Sequence, residues 1–129
     1  MCGNYGIGGH YWIHPDAHHA NPIHYLPQSS GNRVATILTV LENPEAGGAT
    51  IWPYAGISVF GKKGSGLFWH NLFNGDHMDK YTMHAACPVL LGQKWIGNKW
   101  VGYNAQWNRR KCLLDPYEQF KPMRSYQKL

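Results

Sequence analysis

The sequence predicts an all-β domain built as a sandwich, a barrel or a jelly roll. Two observations carry this expectation. Short runs of β-branched and apolar residues alternate with Gly-, Pro- and Asn-rich turn clusters, at a spacing of about 8–12 residues. Six Trp, eight Tyr and fifteen Gly in a chain of 129 residues describe an aromatic-rich, turn-rich protein. That length suits one small domain rather than two.

Residues 1–32 are dominated by glycine, histidine, proline and serine. They predict one short strand over Tyr11–Asp16 and then a polar loop. RVATILTVL (33–41) is apolar and β-branched, too short for a convincing helix, and reads as a buried strand. NPEAGG (43–48) is a turn cluster. Short strands follow at 49–52, 57–60 and 64–72, with KKG and NGD separating neighbours. TMHAAC (82–87) reads as a strand that Pro88 ends or confines to an edge. QKWIGNKWVGY (93–103) alternates long and small side chains and reads as the last strong strand. Trp95 and Trp100 differ in parity there, so only one of them can face inward. DPYEQF (115–120), with Asp at an N-cap and Pro at N1, signals a short helix.

Bulk properties narrow the function classes. The net charge is +5 and the sequence pI near 9.2, but Lys and Arg are dispersed except at NRRK (108–111), which argues against a nucleic-acid partner. No apolar run approaches the ~18 residues of a membrane span. MCGNYGIGGH lacks the basic and apolar regions of a signal peptide. YGIGG looks like a phosphate loop, yet no helix-forming segment follows it. Three cysteines (Cys2, Cys87, Cys112) allow at most one disulfide.

The chemistry concentrates in YGIGGHYWIHPDAHH (5–19), with four histidines and one aspartate. His14 and Asp16 form an H-x-D pair. Two residues apart on a strand, they would point to one face about 6–7 Å apart along the backbone. With one further histidine such a pair makes a facial triad, which leaves open positions on an octahedral Fe(II). His84 can supply that ligand. Ten residues later stands Lys94, a compact point charge suited to the far carboxylate of a dicarboxylic acid. Rival readings exist for the other histidines. His14 with His18 gives a His-x3-His zinc spacing, but Pro15 and the nearby glycines oppose the helix it needs, so His18 and His19 read as solvated loop residues. His10, His24, His70 and His77 read as surface or packing residues.

Several segments in order resemble the catalytic domain of collagen prolyl 4-hydroxylase alpha subunits: NYGIGGHY, H-x-D, GNRVATIL, EAGGAT, KKGSGLFWHNLF and HAACPVLLGQKWIGNKW. The resemblance covers nearly all of residues 4–112 and implies a dioxygenase domain over 1–112 with a tail at 113–129. The broader family is the Fe(II)- and 2-oxoglutarate-dependent dioxygenases, so the implied fold is a double-stranded β-helix, or jelly roll. That domain's early strands, its peptide-binding domain and its signal sequence would lie outside this chain, which makes the expected jelly roll N-terminally truncated. Residue by residue, the resemblance makes His14, Asp16 and His84 the iron ligands and Lys94 the partner of 2-oxoglutarate. Tyr5 and Thr36 match positions that help hold that cosubstrate, and Tyr11 and Trp100 match positions that face peptide. Cys87 and Cys112 match a disulfide pair, which implies the endoplasmic reticulum lumen. The implied activity is 4-hydroxylation of prolyl residues in X-Pro-Gly peptides, with ascorbate as reductant and a protein disulfide isomerase beta subunit as partner. Two alternatives stand beside it: a dioxygenase for another peptidyl proline, and an inactive fragment or degenerate copy serving as an interaction domain. The chain departs from the family pattern at Trp12-Ile13, Pro15 and Met83. None of these removes a ligand.

Overall fold

The structure, a computed structural model, describes residues 1–18, 31–73 and 77–105. Ten strands make up the described fold: β1 (Cys2–Tyr5), β2 (Tyr11–His14), β3 (Arg33–Glu42), β4 (Ala46–Gly47), β5 (Thr50–Trp52), β6 (Ile57–Val59), β7 (Gly66–His70), β8 (His84–Ala86), β9 (Val89–Leu91) and β10 (Lys94–Gly102). One four-stranded sheet has the order β1-β10-β3-β7 and a second the order β2-β8-β5-β6, while β4 and β9 form a two-stranded ladder. All strand pairs are antiparallel. The two larger sheets pack face to face as a jelly roll.

Sequence alternation explains the packing. On β3, the side chains of Val34, Thr36, Leu38 and Val40 share one face and are buried. Leu38 and Val40 meet Ile96 of β10 and Trp69 of β7, and across the interior they meet Trp52 of β5. Burial of each such aliphatic side chain stabilises the fold by roughly 1.5–3 kcal/mol. A smaller cluster of Ala17, Val34 and Leu72 closes the end of the sandwich near the functional residues.

The all-β expectation and most strand positions hold, with instructive differences. β1 was not expected from CGNY, whose Gly and Asn disfavour strands. Its partner imposes it, through the register Tyr5↔Lys94. β4 lies inside the expected turn cluster at 43–48, and β9 begins right after Pro88. The strand expected over Tyr11–Asp16 stops at His14, because Pro15 offers no N–H to a ladder. As that proline demands, β2 is a sheet edge. The strand expected over 82–87 starts at His84, since Lys80–Thr82 forms a 3-10 turn capped by Asp79. Trp95 is exposed and Trp100 faces inward, as their parity requires. The expected helix at 115–120 lies outside the described residues.

Candidate active site

Cross-strand register brings the two histidines together: His14 at the end of β2 pairs directly with His84 at the start of β8. Their rings lie 4.4 Å apart between centroids. Asp16 occupies the bend after β2, not the strand, and is buried. The potential ligand atoms of His14, Asp16 and His84 all lie within 4.8 Å of one another.

Hydrogen bonds fix the tautomers. His14 Nδ1 faces the Trp12 carbonyl at 2.7 Å, and His84 Nδ1 faces the Thr82 carbonyl at 2.9 Å. A carbonyl only accepts, so each Nδ1 carries a proton, and in the neutral imidazole the lone pair is then on Nε2. Those Nε2 atoms sit 3.9 and 3.8 Å from the Asp16 carboxylate oxygens. Burial holds the His84 imidazole below its ordinary range; the Thr82 carbonyl and Asp16 oppose this, and His14 adds to it. With both imidazoles neutral, three lone-pair groups converge, an arrangement that suits a cation. Two imidazoles and one carboxylate on one side of the ion leave the other side open, a donor set suited to non-haem Fe(II).

Aromatic rings support His84 from behind. Trp69 meets it edge-on at 4.9 Å between centroids, and Trp52 lies 6.0 Å away. The two Trp rings pack edge-to-face against each other at 5.2 Å. Tyr11 contacts the exposed side of His14 at 4.1 Å.

Lys94 opens β10 and is only 5% exposed. Its ammonium donates to the Gly48 carbonyl at 2.7 Å and to Thr50 Oγ at 2.9 Å. Gly48 has φ 66°, a left-handed conformation that L side chains rarely adopt, and a Cβ there would meet Pro44 at 2.7 Å. Tyr5 places its ring 5.9 Å from the Lys94 nitrogen. Burial raises the Tyr5 phenol, with Tyr11 adding to the effect, so Tyr5 stays a neutral hydroxyl donor. Burial also lowers the Lys94 ammonium to about 8, with Cys87 opposing that shift. Among the described residues Lys94 forms no salt bridge, so it is a buried cation available to an anion.

A cavity of about 380 Å³ joins these parts: Tyr5, Tyr11, His14, Asp16, His84, Lys94 and Trp100 all line it. Thr36 is the exception among the expected site residues. Its hydroxyl bonds Asp16 and Asn71, so it serves the carboxylate ligand in this structure and not the Lys94 end. Arg33 stacks on Trp100 with its guanidinium 3.9 Å from the ring centroid, and also borders the cavity. His18 is half-buried, contrary to the solvated position expected of it, because its backbone is held by the Asn32 side chain. His10 is exposed, and His70 stacks on Phe68. His19, His24 and Cys112 lie outside the described residues, and Cys87 is a half-buried thiol.

A family model for the 2OG-Fe(II) oxygenase superfamily matches residues 1–102. The chain belongs to that superfamily. It is similar to prolyl 4-hydroxylase subunit alpha-1 of Homo sapiens, at 47% identity over 116 residues, covering 89% of this chain and 22% of that protein. Prolyl 4-hydroxylase subunit alpha-2 of Caenorhabditis elegans is 45% identical over 113 residues, covering 87% of this chain and 21% of the relative. The viral collagen prolyl hydroxylase of Paramecium Bursaria Chlorella virus-1, solved with 2OG, aligns with TM-score 0.66 at 30% identity, over 77% of this chain and 55% of that one. The chain spans about a fifth of the length of the curated relatives it matches.

Membership of the superfamily accords with the candidate metal cluster of His14, Asp16 and His84. Sequence reasoning missed Thr50 and Gly48 at Lys94, Asn71 behind Asp16, and the Trp52–Trp69 wall. Thr50 gave one faint signal, as the first polar residue of a short apolar strand. Gly48 acts through its carbonyl, which no residue type announces.

Proposed function

We propose that the chain carries the catalytic core of a prolyl 4-hydroxylase acting on peptidyl proline in collagen-like X-Pro-Gly sequences. One observation supports this above others: three facing lone-pair donors and a buried cation share a single cavity. In this reading His14, Asp16 and His84 hold Fe(II), and Lys94, with Thr50 and Tyr5, holds the far carboxylate of 2-oxoglutarate. Bound together, iron and 2-oxoglutarate supply the oxidising chemistry, turning oxygen and cosubstrate into succinate, carbon dioxide and a hydroxyl on proline. The chain's own residues do the rest. The Trp12 and Thr82 carbonyls keep the Nε2 lone pairs of His14 and His84 facing inward. Trp52 and Trp69 exclude water behind His84. Tyr11 and the Trp100 ring, stiffened by Arg33, offer flat apolar surfaces to a proline-rich peptide at the cavity mouth.

The reading extends to ascorbate as the reductant that keeps iron divalent, to a Cys87–Cys112 bridge in the endoplasmic reticulum lumen, and to a protein disulfide isomerase beta subunit as partner. The alpha-subunit names of the relatives support the partner, and Cys87 and Cys112 of the sequence support the bridge.

Anaerobic titration with Fe(II) and 2-oxoglutarate tests the core of it. A weak visible metal-to-ligand band and succinate release with a (Pro-Pro-Gly)-type peptide are expected. His14→Ala, Asp16→Ala and His84→Ala should each abolish both, while His18→Ala should keep them. Full activity in His84→Ala would sink the assignment. A band without succinate release would favour a binding module over an enzyme.

A further inference from the structure

Behind Asp16 runs a buried polar chain that neither metal ligation nor cosubstrate binding requires. Thr36 is 0% exposed and Asn71 1% exposed. Thr36 Oγ donates to Asp16 Oδ2 at 2.6 Å, and Asn71 Nδ2 donates to Thr36 Oγ at 2.9 Å. Chemistry fixes these directions. An ionised carboxylate only accepts, so the hydroxyl proton points to Asp16. The threonine oxygen then has only lone pairs to offer Asn71, so the amide must turn its NH2 inward. The consequence is visible on the other side of the amide, where Asn71 Oδ1 is buried without a hydrogen-bond partner among the described residues. Leaving a buried acceptor unmatched is unfavourable. The reverse orientation would be worse, because it sets the amide oxygen against the threonine oxygen.

The backbone of Asn71 reaches the second ligand. Its N–H donates to the Val34 carbonyl on β3, and its carbonyl accepts from the Asp79 N–H at 3.0 Å. Asp79 caps the 3-10 turn through the Tyr81 N–H, and the carbonyl of Thr82 at that turn's end orients His84 Nδ1. Asn71 therefore links Asp16 through its side chain and His84 through its main chain.

We propose that Thr36 and Asn71 are positioning residues that preset the metal site before a metal arrives. Thr36 holds the Asp16 carboxylate at one rotation and occupies Oδ2, which leaves Oδ1 the less encumbered oxygen. Asn71 keeps the Thr36 hydroxyl donating in the required direction. The proposal rests on the reading that His14, Asp16 and His84 bind a divalent metal.

Co(II) affinity, read from its visible ligand-field bands without 2-oxoglutarate, tests it alongside thermal melting of the metal-free protein. Thr36→Val keeps the shape and removes the hydroxyl; it should weaken Co(II) binding by about 10–100-fold, as loss of an outer-shell partner does. Thr36→Ser restores the donor and should recover most of the affinity. Asn71→Leu should lose about as much as Thr36→Val, and the double variant little more than either, because the residues act as one unit. Thr36→Val binding Co(II) like the unaltered chain, or Thr36→Ser failing as badly as Thr36→Val, would overturn the proposal. Should Thr36→Val not fold, Asn71→Leu decides: unchanged affinity overturns the relay and weakened affinity in a folded protein supports it. Failure of the unaltered chain to bind Co(II) would remove the metal reading and the relay with it.

Discussion

Lys94→Met is expected to stabilise the protein and cripple its cosubstrate binding. The Lys94 ammonium is buried against two neutral oxygens, with no carboxylate paired to it among the described residues. Its fall from 10.5 to about 8, at roughly 1.4 kcal/mol per pH unit, means the charged form costs up to about 3 kcal/mol at pH 7. Methionine keeps a similar apolar length and removes the charge. It also gives up two hydrogen bonds, each worth about 0.5–1.5 kcal/mol net. The difference leaves the variant more stable by up to about 2 kcal/mol at pH 7, a melting-temperature gain of up to about 7 °C for a chain of this size.

The sign of the pH dependence separates this account from ordinary repacking. Below pH 8 Lys94 is protonated in both the folded and unfolded states, and the full cost is present. From about pH 8 to 10.5 the folded state has lost the proton and the unfolded state still binds it, so wild-type stability rises with pH. The variant has no such group, so its advantage should vanish near pH 9.5. Calorimetric melts of both proteins at pH 7 and 9.5 check this. A stability difference that does not change with pH would refute the reasoning. Calorimetric titration of 2-oxoglutarate into metal-loaded protein checks the functional half. Removing one partner of a buried pair costs about 3–5 kcal/mol, so affinity should drop at least about a hundredfold, and an unchanged affinity would mean the far carboxylate binds elsewhere.

Trp69→Ala removes the ring that meets both His84 and Trp52 and should destabilise the fold by about 3–5 kcal/mol, measured as a lower urea midpoint at unchanged slope; a loss under about 1 kcal/mol would show that the wall is dispensable. Non-reduced protein from the secretory pathway should yield a linked Cys87–Cys112 peptide and a free Cys2 by mass spectrometry. That bridge would close 25 residues and contribute on the order of 3 kcal/mol, and three alkylatable thiols would refute it.

The legible parts of this protein were those written in side-chain type. His14, Asp16, His84 and Lys94 stood out as candidates by residue type and spacing, and the fold places all four on one cavity. Long strands such as β3 and β10 showed through β-branched runs and alternation. Features set by a partner were not legible. β1 owes its strand to pairing with β10, and β4 and β9 to each other. Thr36 illustrates the same limit: its position was readable, but its partners depend on Asn71 just past β7 and on where Asp16 sits after Pro15 ends the strand. The H-x-D spacing suggested two side chains side by side on a strand, whereas the fold presents His14 from a strand end and Asp16 from a bend.

The site's two ends are electrostatically incomplete in opposite senses. At one end a carboxylate and two imidazoles face one another. At the other a buried ammonium has no carboxylate beside it among the described residues. A divalent metal satisfies the first and a dicarboxylate the second, and the dication, the dianion, Asp16 and Lys94 together sum to zero. Counting those four groups alone, either ligand by itself leaves two net charges unmatched where poor screening makes them costly. Each ligand should therefore raise the affinity for the other, by the same factor in both directions. Both should stabilise the fold beyond what either does alone. The polar residues buried around Asp16 and Lys94 make sense on that basis. They hold the carboxylate and the ammonium at the geometry in which a cation and a dianion would complete them.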